Sequence, residues 1–110
     1  MATKHTFSIA PIHVAELDLR ILQSLCALTS NRTRSYIVAK VDQLPEAYLV
    51  DLNLPDSVRE WEARQIYHPA TVVVISKTLD TTLSPYVLKR PLIPSRLLAL
   101  LDNLSAAIPI

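Results

Sequence analysis

The chain has 110 residues, 50% of them hydrophobic, and 11 basic against 10 acidic side chains leave a net charge of +1. That length fits one domain around one core, and the balanced charge gives no electrostatic case for nucleic acid or an anionic membrane surface. Glycine is absent and cysteine single, which excludes Gly-rich phosphate loops, Rossmann and P-loop fingerprints included, and any internal disulfide.

No apolar run is long enough to span a bilayer, and the N-terminus lacks a signal-like apolar stretch. The lone thiol, Cys26, suits a reducing compartment, so a cytoplasmic location is expected. At the usual 7 % usage roughly eight glycines would be present. Positions of positive φ are therefore expected at Asn31, Asn53 or Asn103.

Residues 6–10 alternate weakly and predict a first strand ending at Pro11. Glu16–Thr29 is the clearest helix. Leu17, Ile21, Leu25 and Leu28 recur there at helical spacing, Leu22 widens the stripe, and Leu19 and Cys26 lie off it. Residues 35–39 are rich in β-branched and aromatic types and predict a second strand. A short link, 42–46, leads to an apolar strand over 48–52 that carries Asp51 and turns at Pro55. Ser57 and Glu60 have the spacing of a capping box for a helix to about Tyr67, which carries Trp61 and stops at His68-Pro69. Residues 71–75, Thr-Val-Val-Val-Ile, suit a central parallel strand covered on both faces. A polar connector, 78–85, precedes a short last strand at 86–88. The final helix, 95–107, has Leu97, Leu101, Leu104 and Ile108 as its buried stripe, with Leu98 and Leu100 outside it.

Strands alternating with helices predict an α/β sandwich with a mainly parallel sheet. Two connections are too short for the dozen or so residues of a βαβ crossover. Two covering helices are therefore expected to be missing or reduced to single turns.

Asp51 is the odd residue of its strand. A carboxylate there is costly to bury unless it is bonded, paired or functional, and ligands of open α/β sheets bind outside the carboxyl ends of the strands. Asp51 either caps its own turn or belongs to a site. It is followed by Leu54-Pro55; Ser76 follows the strand at 72–75; and Tyr86-Val-Leu-Lys89 is followed by Pro91, with Arg90 inserted. This ordered set resembles the receiver domains of response regulators, and the run from Leu88 to Leu97 is especially similar to those of hybrid sensor kinases. The resemblance implies one receiver-like domain over 1–110. Its fold would be flavodoxin-like (CheY-like), a mainly parallel five-stranded sheet in the order 2-1-3-4-5, here with one or two reduced helices. It also implies a phospho-acceptor site of Asp51, Ser76 and Lys89.

The departures from the family pattern bear on function. The family ends its first strand in a pair of acids that hold Mg²⁺, whereas this chain has Pro11-Ile-His-Val14. Glu16 and Asp18 are expected to point elsewhere from within the first helix. Lys77 replaces a small residue after Ser76. Three readings follow: a remnant in which Lys89 pairs with Asp51, a weak phospho-acceptor, or a site where Lys77, Lys89 and Arg90 hold a ready-made anion. Arg32 and Arg34 are further candidates for anion contact, as in a module for an anionic nucleotide messenger. The expected function is a non-enzymatic pseudo-receiver of a bacterial two-component-type pathway, with no catalytic residue, metal or cofactor. It would act through protein–protein interaction with a sensor kinase, a response regulator or a fused output domain, or as a homodimer. Tyr86, Leu98, Leu100 and the 78–85 connector form the expected surface, with no nucleic-acid binding and no membrane insertion. His5, His13 and His68 are scattered and predict no metal site.

Overall fold

The computed structural model describes residues 5–40, 43–77, 86–89 and 92–107. Its elements run β1 (His5–Ile12), α1 (Glu16–Thr29), β2 (Arg34–Val38), β3 (Ala47–Asp51), α2 (Pro55–Tyr67), β4 (Thr71–Ser76), β5 (Val87–Lys89) and α3 (Pro94–Ala107). All four strand pairings are parallel, in the order β2-β1-β3-β4-β5. This is the flavodoxin-like order expected from the sequence. Among the described residues, neither the β2–β3 nor the β4–β5 connection contains a helix; residues 41–42 and 78–85 lie outside the described residues.

Strand alternation sorts the core into two layers. Phe7, Ile9, Tyr36, Leu49, Val73, Ile75 and Leu88 face α1 and α3, packing on Leu22, Leu25, Leu97, Leu101 and Leu104. Ala10, Ile12, Tyr48, Val50, Val72 and Val74 face the other way and meet Trp61 of α2. β3 is buried along its whole length, and β4 is buried after Thr71. Central parallel strands covered on both faces have this near-continuous apolar character.

Several expectations are corrected. β1 runs through Pro11 to Ile12. A proline is tolerated because β2 stops opposite Ile9, so Pro11 is paired only with β3 and behaves as an edge residue. Pro55, not Ser57, opens α2; Leu54 is the N-cap without a side-chain bond, so the capping box is not formed. Among the described residues the positive φ falls on His13 (φ 48°), not on an asparagine. The buried stripe of α1 is Asp18, Leu22, Leu25 and Thr29, whereas Leu17 and Leu28 are 68% and 79% exposed. The stripe is rotated by one residue from the most apolar one. On α3, Leu97, Leu101 and Leu104 are buried as expected, while Leu98 and Leu100 are half-buried against the core. Ile108 lies outside the described residues.

Candidate functional site

Asp51 is the last residue of β3 and is 1% exposed. One carboxylate oxygen, Oδ1, accepts the Asn53 amide at 2.9 Å, and the Leu54 amide donates to the Asp51 carbonyl at 3.1 Å. This is an Asx-type turn that bends the chain out of the strand and into Pro55. The Asp51 amide donates to Ser57 Oγ at 3.0 Å. Ser57 is fully buried and its hydroxyl in turn donates to the Ile12 carbonyl. One hydroxyl from the first turn of α2 therefore ties together the carboxyl ends of β1 and β3.

The other expected site residues follow from strand register. Asp51 lies opposite Ile75, and Ser76 lies opposite Lys89. Ser76 is buried and Lys89 exposed. Two strand spacings of about 4.8 Å separate the β3 and β5 backbones. Asp51, Ser76 and Lys89 thus gather at the carboxyl edge of three adjacent strands, where parallel sheets present their ligand sites. Lys77 continues from Ser76 and is exposed. Arg90 lies outside the described residues.

Arg32 and Arg34 are elsewhere. Arg34 opens β2, at the end of the sheet opposite Asp51, and Arg32 bonds Asp102 of α3 at 3.0 Å. The structure does not bring these two arginines to the Asp51 edge. Arg32 instead joins a partly buried polar cluster that the sequence did not signal. Tyr36 Oη donates to Asp102 Oδ1 at 2.5 Å and lies 3.1 Å from Ser105 Oγ. Burial first, and then the bond to Asp102, push the Tyr36 phenol up to about 12. Beside it, Thr29 Oγ1 donates to the Cys26 carbonyl and accepts the Tyr36 amide. Asp102 and Ser105 are three residues apart on α3, a spacing that cannot be read as a site without knowing what faces that helix.

At the carboxyl end of β1 stand buried Ile12 and, just beyond the strand, exposed His13. Neither supplies the oxygen donors that Mg²⁺ requires. Among the described residues no group of three or more His, Cys, Asp or Glu is placed to hold a metal ion. Of the two acids of α1 weighed above, Asp18 is 2% exposed in the first turn, in the helix that follows the carboxyl end of β1. Its four-residue spacing from Leu22 was the one sequence signal for this.

The expected interaction surface is partly filled. Tyr86, Leu98 and Leu100 are half-buried against the core. A hollow of about 330 Å³ remains between β5 and α3, lined by Val87, Lys89, Ile93, Arg96, Leu100 and Asn103 among others. The 78–85 connector lies outside the described residues.

No protein-family model matches the sequence, and no curated protein matches it. Solved structures do. A response regulator from Thermotoga maritima is 14% identical with a TM-score of 0.69, over 94% of this chain and 100% of that one. The BeF3-activated DrrB receiver domain is 14% identical with a TM-score of 0.64, over 93% and 99%. The response regulator PhyR from Brucella abortus is 13% identical with a TM-score of 0.61, over 96% of this chain and 54% of that one. The chain has the receiver-domain fold.

Proposed function

We propose that this chain is a receiver-like signalling module that works by docking to a protein partner and does not transfer a phosphoryl group. The observation that carries this reading is the end of β1. Ile12 is buried and apolar, and His13 is exposed in a left-handed conformation, where phosphoryl transfer to Asp51 would need a bound divalent cation to neutralise charge. Asp51 Oδ1 is already committed to the Asn53 amide, which suits a structural turn. In this reading Asp51, Ser76 and Lys89 are a vestigial site, with Lys89 supplying the nearby positive charge. The partner docks at the β5–α3 hollow, where Lys89 and Arg96 flank apolar Ile93 and Leu100; that lining suits an apolar segment bearing acidic residues.

Incubation with Mg²⁺ and a small phosphodonor, followed by intact-mass measurement, tests the chemistry. The expected result is no mass gain. A gain of one phosphoryl group in wild type, lost in Asp51→Asn, refutes it. One observation favours that second outcome: the burial of Asp18 in the first turn of α1, since Mg²⁺ is commonly held by one or two carboxylates. Under that second reading Asp18→Asn also abolishes the gain. Docking is read separately, by binding of the genetically linked signalling protein to wild type and to Lys89→Glu/Arg96→Glu. Equal binding would remove the hollow as the docking site.

A further inference from the structure

At the amino end of β3, the end opposite Asp51, a hollow of about 220 Å³ lies between residues 43–45 and the last turn of α2. Two hydrogen bonds hold it in shape. His68 Nε2 donates to the Pro45 carbonyl at 2.8 Å, since a carbonyl can only accept, and the Tyr48 hydroxyl donates to the His68 carbonyl at 2.8 Å. Leu44, Pro45 and Tyr67 supply its apolar lining. Leu44 and Tyr67 are both exposed, two large apolar side chains standing open to solvent beside a concave surface.

The polar groups of the hollow have donors to spare. Arg64 gives Nε to Glu60 at 3.0 Å, and its two terminal nitrogens have no partner among the described residues. Gln43 accepts the Lys40 amide through Oε1 at 3.2 Å, which leaves its side-chain amide as a donor. The Arg64 charge is felt at the buried floor: burial raises the Tyr48 phenol, and Arg64 lowers it in part. Carbonyls at a helix end repel anions. Here the His68 amide covers the Arg64 carbonyl at 2.9 Å, and Tyr48 covers that of His68.

We propose that this hollow binds a small aromatic carboxylate, its ring against Leu44, Pro45 and Tyr67 and its two oxygens on the terminal nitrogens of Arg64 and the Gln43 amide. Two free terminal nitrogens of one guanidinium match the geometry of a carboxylate, and tyrosine takes a second ring in an offset stack. The volume is below the roughly 300–1,000 Å³ of sites for drug-sized ligands, which limits the occupant to one ring and one charged group.

Amide NMR of the isotopically labelled full chain, titrated with benzoate, tests this. A ligand of this size should bind with a Kd of about 1 mM, with saturable shifts at Leu44, Tyr48, Tyr67 and His68. Benzamide has the ring without the charge, and acetate the charge without the ring; both should bind several-fold more weakly. Arg64→Gln should weaken benzoate about tenfold. Glu60→Gln, which frees Arg64 Nε, should tighten it about twofold, an effect that a purely structural Arg64 would not show. Both side chains lie at the surface of α2, so both variants should keep the wild-type circular dichroism. The proposal is overturned by shifts that do not saturate, by benzamide or acetate binding as well as benzoate, by unchanged binding to Arg64→Gln, by weaker binding to Glu60→Gln, or by shifts confined to the β5–α3 hollow.

Discussion

Replacing Tyr36 with phenylalanine removes one oxygen from the cluster that fastens β2 to α3. The side chain is fully buried, and its hydroxyl makes a 2.5 Å bond to Asp102 and a 3.1 Å contact with Ser105. A hydrogen bond to a charged group contributes about 1.5–3 kcal/mol, and leaving a buried partner unsatisfied adds to the loss. Two features place this case toward the low end. Asp102 keeps Arg32 at 3.0 Å, with its side chain 34% exposed, and Ser105 keeps the Asp102 carbonyl at 3.2 Å. The expected destabilisation is about 2 kcal/mol. Trp61, the only tryptophan, packs on the opposite face of the sheet, so its fluorescence in urea reports global unfolding. With a urea slope of about 1–3 kcal/mol/M, the midpoint should fall by roughly 1 M. Alkaline titration gives a second readout. The Tyr36 phenol ionises near 10 when unfolded and at about 12 when folded. A raised folded pKa contributes stability that is complete below pH 10 and is lost as pH rises through 12. Burial raises Cys26 and Tyr48 as well, so the diagnostic quantity is the difference between wild type and Tyr36→Phe, whose loss above pH 10 should be shallower. A midpoint shift under about 0.3 M, or no coupling between Tyr36→Phe and Asp102→Ala in a double-mutant cycle, would refute the account.

Thr29→Val keeps the shape but removes the hydroxyl that accepts the Tyr36 amide; a loss of about 1–2 kcal/mol is expected in the same urea experiment. His13→Gly should stabilise the fold by about 0.5–1 kcal/mol, because glycine adopts the φ of 48° without a Cβ clash, less its own entropy cost; a decrease in midpoint would count against a strained turn. Cys26, pushed up to about 11 by burial, should react with iodoacetamide far more slowly at pH 8 than the same chain in urea; equal rates would show an open thiol. Trp61→Phe removes an indole N–H that has no hydrogen-bond partner among the described residues, so its cost should stay below about 1.5 kcal/mol, well under that of a Trp→Ala cavity.

Much of this fold was legible in the residues themselves. Val72 to Ile75 is apolar without a break because it lies between two covered faces, and none of the described residues between β2 and β3 is helical, as the shortness of that link predicts. The position of Asp51 at the end of an apolar strand marked the carboxyl edge where Ser76 and Lys89 also arrive. The phase of α1 could not be found the same way. The stripe read from the sequence, Leu17, Ile21, Leu25 and Leu28 widened by Leu22, meets the buried one, Asp18, Leu22, Leu25 and Thr29, only at Leu22 and Leu25, because periodicity and apolarity favour burying Leu17 and Leu28 over Asp18 and Thr29. Thr29 is buried because it finds partners in three dimensions, spanning the Cys26 carbonyl and the Tyr36 amide. The same holds for Ser57, whose capping-box spacing was real but whose hydroxyl bonds Asp51 and Ile12 across the sheet, and for His13, which takes a positive φ because the chain must leave β1 and no glycine is available. Local pattern sets which segments become strands and helices, since that depends on side-chain periodicity. Which polar groups go inside depends on partners distant in sequence, such as Asp102, 66 residues from Tyr36, and only the packed structure supplies them.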